Sequence, residues 1–188
     1  MDSTAYLMNF YRITLDFVNK VIPDEQKAHF ERTVFWMEKF SPNFTEAHRI
    51  AAYCHDIERA FNVKKNEQVE NYLDPAFLKD HQEKSAEIIS KFLKSENAPK
   101  DLIDKISHLI SKHEVGGDEE QNALMDADSV SFFETNARMF IVKKAPVEGY
   151  EKIKEKFDWM FNRICSEDHK NYARINYEKW SAELEYYR

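Results

Sequence analysis

Apolar side chains recur at three- and four-residue steps along nearly the whole chain, and that period dictates helices. Over 4–21, Leu7, Phe10, Ile13 (or Leu15) and Phe17 keep the step. Pro23 suits the first turn of a second helix, which runs to about Phe40 until "SPN" at 41–43 breaks it. The pattern predicts further helices at 45–61, 80–96 and 99–113, with a polar, short-structured piece at 62–79. The "GG" at 116–117 stops the fifth helix, because glycine accepts the left-handed conformation of a C-terminal cap. Asp118 with Gln121 three residues on reads as a capping box opening a sixth helix, and helices at 147–165 and 168–186 close the chain. No strand pattern, repeat or interdomain linker appears. The expectation is an all-α fold, a single compact multi-helix bundle spanning 1–188.

Composition removes several classes of function. With 188 residues, 43% of them hydrophobic, the chain can bury one sizeable core. A formal net charge of −7 argues against a general nucleic-acid partner. Cys54 and Cys165 flank no CxxC motif and make no disulfide scaffold, so a reducing, cytoplasmic setting is expected. Asp2, Arg12 and Asp16 interrupt the apolar pattern of the first 22 residues, which suits neither a signal peptide nor a membrane span. The pattern leaves homo-oligomerisation open.

Within "AAYCHDIERAF" at 51–61, His55 stands directly beside Asp56 in an otherwise apolar stretch. Composition alone produces about half of one such pair in a chain like this, so the dipeptide needs company to mean anything. It has company. His29 lies one helix earlier, His81 near the start of the fourth helix, His113 at the end of the fifth, and "MDADSV" places Asp126 and Asp128 in the sixth. Each successive helix therefore supplies ligand-type side chains. Imidazole nitrogen and carboxylate oxygen suit Mn, Fe, Co, Ni or Zn, and inward-facing His and acidic residues in a helical core can hold one or two such ions. Two residues apart on a helix is about 200°, so only one of Asp126 and Asp128 can face inward.

This ordered set, H…HD…H…H…D, resembles the HD-domain metal-dependent phosphohydrolase superfamily. The residues that carry the likeness are His29 in "HFERTV", His55-Asp56 in "HDIERAF", His81 in "DHQEKS", His113 in "KHEVGG" and the aspartate of "ADSV", over roughly residues 25–135. The resemblance implies an HD-domain bundle whose C-terminal helices at 147–186 pack on the metal-site core. It implies a first metal on His29, His55, Asp56 and Asp128, with Asp56 bridging to a second on His81 and His113. It favours Asp128 over Asp126.

The implied activity is hydrolysis of a phosphate ester of a small metabolite or nucleotide. A divalent ion lowers the pKa of bound water from 15.7 towards about 7 and polarises a phosphoryl oxygen. Arg59, one turn after His55, and Arg32, in the "HxxR" that follows the first histidine, are the candidate phosphate contacts, since guanidinium suits bidentate recognition. Glu58 is a candidate proton donor, at a spacing that differs from that of the catalytic acid in well-known members. The same ligand order also belongs to diiron oxygenases of the myo-inositol-oxygenase type. A non-catalytic nucleotide-binding HD module is the third reading.

The other histidines have plainer readings: His48 caps a helix or sits at the surface, His108 faces solvent, and His169 is structural near a helix start. The aromatic residues of the C-terminal half read as core, and "EKIKEK" at 151–156 as solvated helix surface.

Overall fold

The computed structural model describes residues 9–61 and 71–188. The expected position of Leu7, and the part of the polar piece between 62 and 70, lie outside the described residues. Helix α1 (Phe10–Val21) starts where the Asn9 side chain accepts the Arg12 amide at 2.9 Å, and buries Phe10, Thr14 and Val18. Pro23 precedes α2 (Asp24–Phe40), and Thr45 with His48 forms a capping box for α3 (Glu46–Cys54). Next come α4 (Pro75–Ser95), α5 (Lys100–Ile110) and α6 (Glu119–Thr135). Two short pieces, α7 (Ala137–Met139) and α8 (Ala145–Glu148), flank a π-helical turn at Phe140–Lys144. Helices α9 (Tyr150–Asn162) and α10 (Glu167–Leu184) complete an all-α structure, with no strand among the described residues.

Helix α6 is the axis of the bundle. Its residues from Ala123 to Phe133 are buried on every side, as in a helix covered all round. Helix α2 lies along it and α10 packs on another flank, while α3 packs on α2 and against α5. One apolar core runs from Phe10 to Leu184. No described helix is long and apolar enough to cross a membrane.

Three boundaries depart from the pattern for local reasons. The helix expected over 45–61 stops at Cys54. His55 is still helical, but Asp56 turns to φ −101° and ψ 17°, and a 3₁₀ turn follows at Ile57–Ala60. Consecutive helical residues point about 100° apart, so this break lets His55 and Asp56 serve one interior. The helix expected at 80–96 begins five residues earlier, because Asp74 accepts the Ala76 amide and Pro75 fits the first helical position. The helix expected at 99–113 ends at Ile110. A tight turn then closes on Gly116, whose φ is +73° and whose amide donates to the Lys112 carbonyl at 2.7 Å.

Candidate metal centre

Five chain segments meet at one end of the core. Helix α2 supplies His29, the break after α3 supplies His55 and Asp56, α4 supplies His81, the turn after α5 supplies His113 and Glu114, and α6 supplies Asp128. All seven are buried. One oxygen of Asp128 lies 3.0 Å from His29 Nε2 and 3.4 Å from His55 Nε2. One oxygen of Asp56 lies 2.7 Å from His81 Nε2 and 3.5 Å from His113 Nε2. Potential ligand atoms of His29, His55 and Asp56 fall within 4.8 Å of one another, and so do those of Asp56, His81, His113 and Glu114. Asp56 belongs to both groups.

Each imidazole has its other nitrogen occupied. His55 Nδ1 meets the Ala52 carbonyl at 3.0 Å and His113 Nδ1 the Ile110 carbonyl at 2.8 Å. A carbonyl only accepts, so both Nδ1 atoms carry the proton and Nε2 is the lone-pair nitrogen of the neutral ring. His81 Nδ1 sits 2.9 Å from Glu58, and His29 Nδ1 sits 2.9 Å from Ser131 Oγ, itself 2.7 Å from Thr33 Oγ1. Rings anchored through Nδ1 with Nε2 turned to a common centre are the arrangement that orients metal ligands. His55 Nε2 and His113 Nε2 are buried without a hydrogen-bond partner, their nearest carboxylate oxygens being poorly aligned. The donor set thus fits a borderline divalent cation.

The electrostatics agree. Burial pushes the carboxyl of Asp56 up, but Arg59, His81 and His55 more than reverse this and hold it well below the usual range. Asp128 is held low in the same way by Arg163 and His55 against its burial. Glu114 is lowered to about 2, with Arg163 and His113 outweighing burial. All three are therefore carboxylates at neutral pH. Burial lowers His113. Burial also opposes a proton on His55, yet Asp56 and Asp128 raise it to about 9. A cation at His55 Nε2 would compete with that proton in the same negative field.

Two arginines brace the carboxylates. Arg59 Nε donates to Asp56 at 2.5 Å. Arg163, at the end of α9, donates to Glu114 at 2.6 Å, to Ser129 Oγ at 2.7 Å and to Asp128. The centre opens into a cavity of about 520 Å³, whose walls include His29, Asp56, Arg59, Glu114 and Asp128, then Lys143, Lys144 and Lys156, then Phe132, Met139, Phe140 and Met160.

The structure brings together His29, His55, Asp56, His81, His113, Asp128 and Arg59. It does not bring Arg32. That side chain is 37% exposed, is held in a two-pronged pair by Glu134 at 2.6 and 3.0 Å, and lies over the Phe35 ring. Glu58 is buried against His81 Nδ1 and is absent from the cavity wall. Asp126 faces the other way, where it accepts from the Cys165 and Ser166 amides and meets His169 Nδ1 at 2.7 Å.

Three participants went unread in the sequence. Glu114 follows His113 as Asp56 follows His55, and that parallel was the available signal. Arg163 had none. Lys156 is a correction: "EKIKEK" is not all solvated surface, because Lys156 is only 8% exposed. It stands three residues after buried Ile153 and four before buried Met160, hence on the inward stripe.

Residues 15–184 match the family model described as Domain of unknown function (DUF4202). No curated protein and no solved structure matches the chain.

Proposed function

The chain belongs to the DUF4202 family, and from the geometry of its centre we propose that it is a divalent-metal-dependent phosphohydrolase of the HD type, acting on a phosphate ester of a small metabolite or nucleotide. One observation carries the reading. Four imidazoles anchored through Nδ1 present Nε2 to a shared set of carboxylate oxygens at the head of a cavity, and two of those nitrogens have nothing to bond. A buried polar atom without a partner costs about 1–3 kcal/mol, a cost that cation binding would remove.

His29, His55, Asp56 and Asp128 would hold one ion, and Asp56, His81, His113 and Glu114 a second. Such ions would supply a Lewis acid for a phosphoryl oxygen and a water acidified towards neutrality. The remaining work belongs to the chain. Arg59, fixed by its bond to Asp56, places a guanidinium on the cavity wall where a phosphate oxygen would meet it. Arg163 holds Asp128 and Glu114 at their stations. Glu58 keeps His81 in one tautomer and one orientation, a positioning role in place of the proton-donor role expected from sequence. Phe132, Met139, Phe140 and Met160 exclude water around the ester.

The test is a panel of phosphate esters assayed with Mn²⁺, Co²⁺ or Ni²⁺ against the wild type and Asp56→Ala. Metal-dependent release of phosphate that disappears in the variant is the expected result. Release that survives the substitution rejects the mechanism. Iron-dependent oxygen consumption without phosphate release would replace it with the oxygenase reading.

A further inference from the structure

Lys156 has no role in holding a metal, yet it stands in the centre's cavity. It is more than nine-tenths buried, and among the described residues its ammonium has no hydrogen-bond or ion-pair partner. Arg59 and Arg163 differ in this respect, each being bonded to carboxylates. The Lys156 Nζ lies 4.5 Å from the Trp159 ring centroid and 5.9 Å from that of Phe132, contacts that direct it without neutralising it. An ammonium withdrawn from water without a counter-ion is costly, and a leucine or methionine would fill the place at no such cost. Lys143 and Lys144 line the same cavity. The feature makes sense once an anion enters.

We propose that Lys156 is a specificity-determining contact for a phosphoryl dianion, so that the cavity selects phosphate monoesters over the singly charged diesters. The selection between esters rests on the hydrolase reading; the anion subsite does not. Its physical basis is one positive charge beyond those that Asp56, Glu114 and Asp128 already neutralise. A monoester brings a second negative charge for it, and a diester does not.

The experiment is calorimetric titration of the full chain with inorganic phosphate, with Mn²⁺ present and after chelation, for wild type and Lys156→Met. Wild type should bind, and the variant should bind about tenfold more weakly or worse. With Mn²⁺, the variant should raise KM for a monoester about tenfold, change kcat less, and leave KM for a matched diester unaltered. Equal phosphate affinity in the two proteins, or no binding by wild type, overturns the subsite. Lysine-dependent phosphate binding in a chain that hydrolyses nothing would sink the hydrolase reading and leave the subsite standing. Hydrolysis with monoester KM unmoved in the variant would do the reverse. Should Lys156→Met not fold, the ¹⁵N ammonium resonance of Lys156 in wild type decides: a shift on adding phosphate supports the contact, and an unmoved resonance overturns it.

Discussion

His55 and His113 meet edge to face, with ring centroids 5.1 Å apart, each tied through Nδ1 to the carbonyl three residues earlier and each with Nε2 bare. Two buried lone pairs held this close without donors form a site in want of a cation. Adding Mn²⁺ or Co²⁺ to chelated protein should therefore raise its melting temperature. At a hundredfold excess over Kd the stabilisation is about 2.7 kcal/mol. His55→Ala and His113→Ala should each lose most of that gain and lower the bound metal measured by mass spectrometry. No bound metal and no thermal shift in wild type would reject the centre.

Asp56 alone belongs to both donor groups. Asp56→Asn keeps the shape but removes the charge, so it should lower metal content at both positions and take phosphate release to background. A variant that still binds two ions would refute the shared ligand.

Glu58→Gln tests positioning against proton donation. Loss of an outer partner of a metal-ligating histidine costs roughly 10–100-fold in metal affinity or activity. The expected signature is weaker metal binding with the shape of the pH–rate profile unchanged. Loss of its alkaline limb at full metal affinity would make Glu58 the acid instead.

Asp126 and Asp128 should separate cleanly. Asp126 caps the junction between α9 and α10 through two amides and His169, so Asp126→Ala should cost about 1–3 kcal/mol of stability and keep its metal. Asp128→Asn should lose metal. Denaturant melts beside elemental analysis read both.

Burial lowers the Lys156 ammonium from 10.5 to about 8, with Glu114 opposing in part. Between those two values the unfolded chain binds more protons than the folded one, so this residue makes stability rise with pH through that window. Below about pH 8 the folded protein carries the full penalty, on the order of 3 kcal/mol. Lys156→Met should accordingly be more stable than wild type at pH 7, and the difference should shrink by pH 10. Denaturant melts at the two pH values measure it, and a wild type that gains nothing on the variant over the range contradicts the buried charge.

Much of this was readable from residues. The 3.6-residue period gave the all-α fold, and the Asp118–Gln121 box opened α6 where the spacing placed it. The 200° argument for a single inward aspartate matches the opposed directions of Asp126 and Asp128. His48 does cap α3, and His108 is half-exposed beside Asp118. What stayed hidden depends on tertiary contact. Nothing in "HDIERAF" says the helix must break after Cys54, because the reason is a set of partners on four other segments. Arg32 and Arg163 are alike as letters. Only packing gives the first to Glu134 and the second to the centre. Lys156 was misread because charge was weighed above its place on the Ile153–Met160 stripe.

The π turn at Phe140–Lys144 accommodates one residue more than an α-helical turn would, and Phe140, Lys143 and Lys144 reach the cavity from it. Removing a single residue there would restore regular winding and rotate everything downstream by about 100°. Both amines would swing off the wall while every metal-donor side chain stayed in register. The entrance can therefore be retuned by one codon's gain or loss, independently of the chemistry behind it.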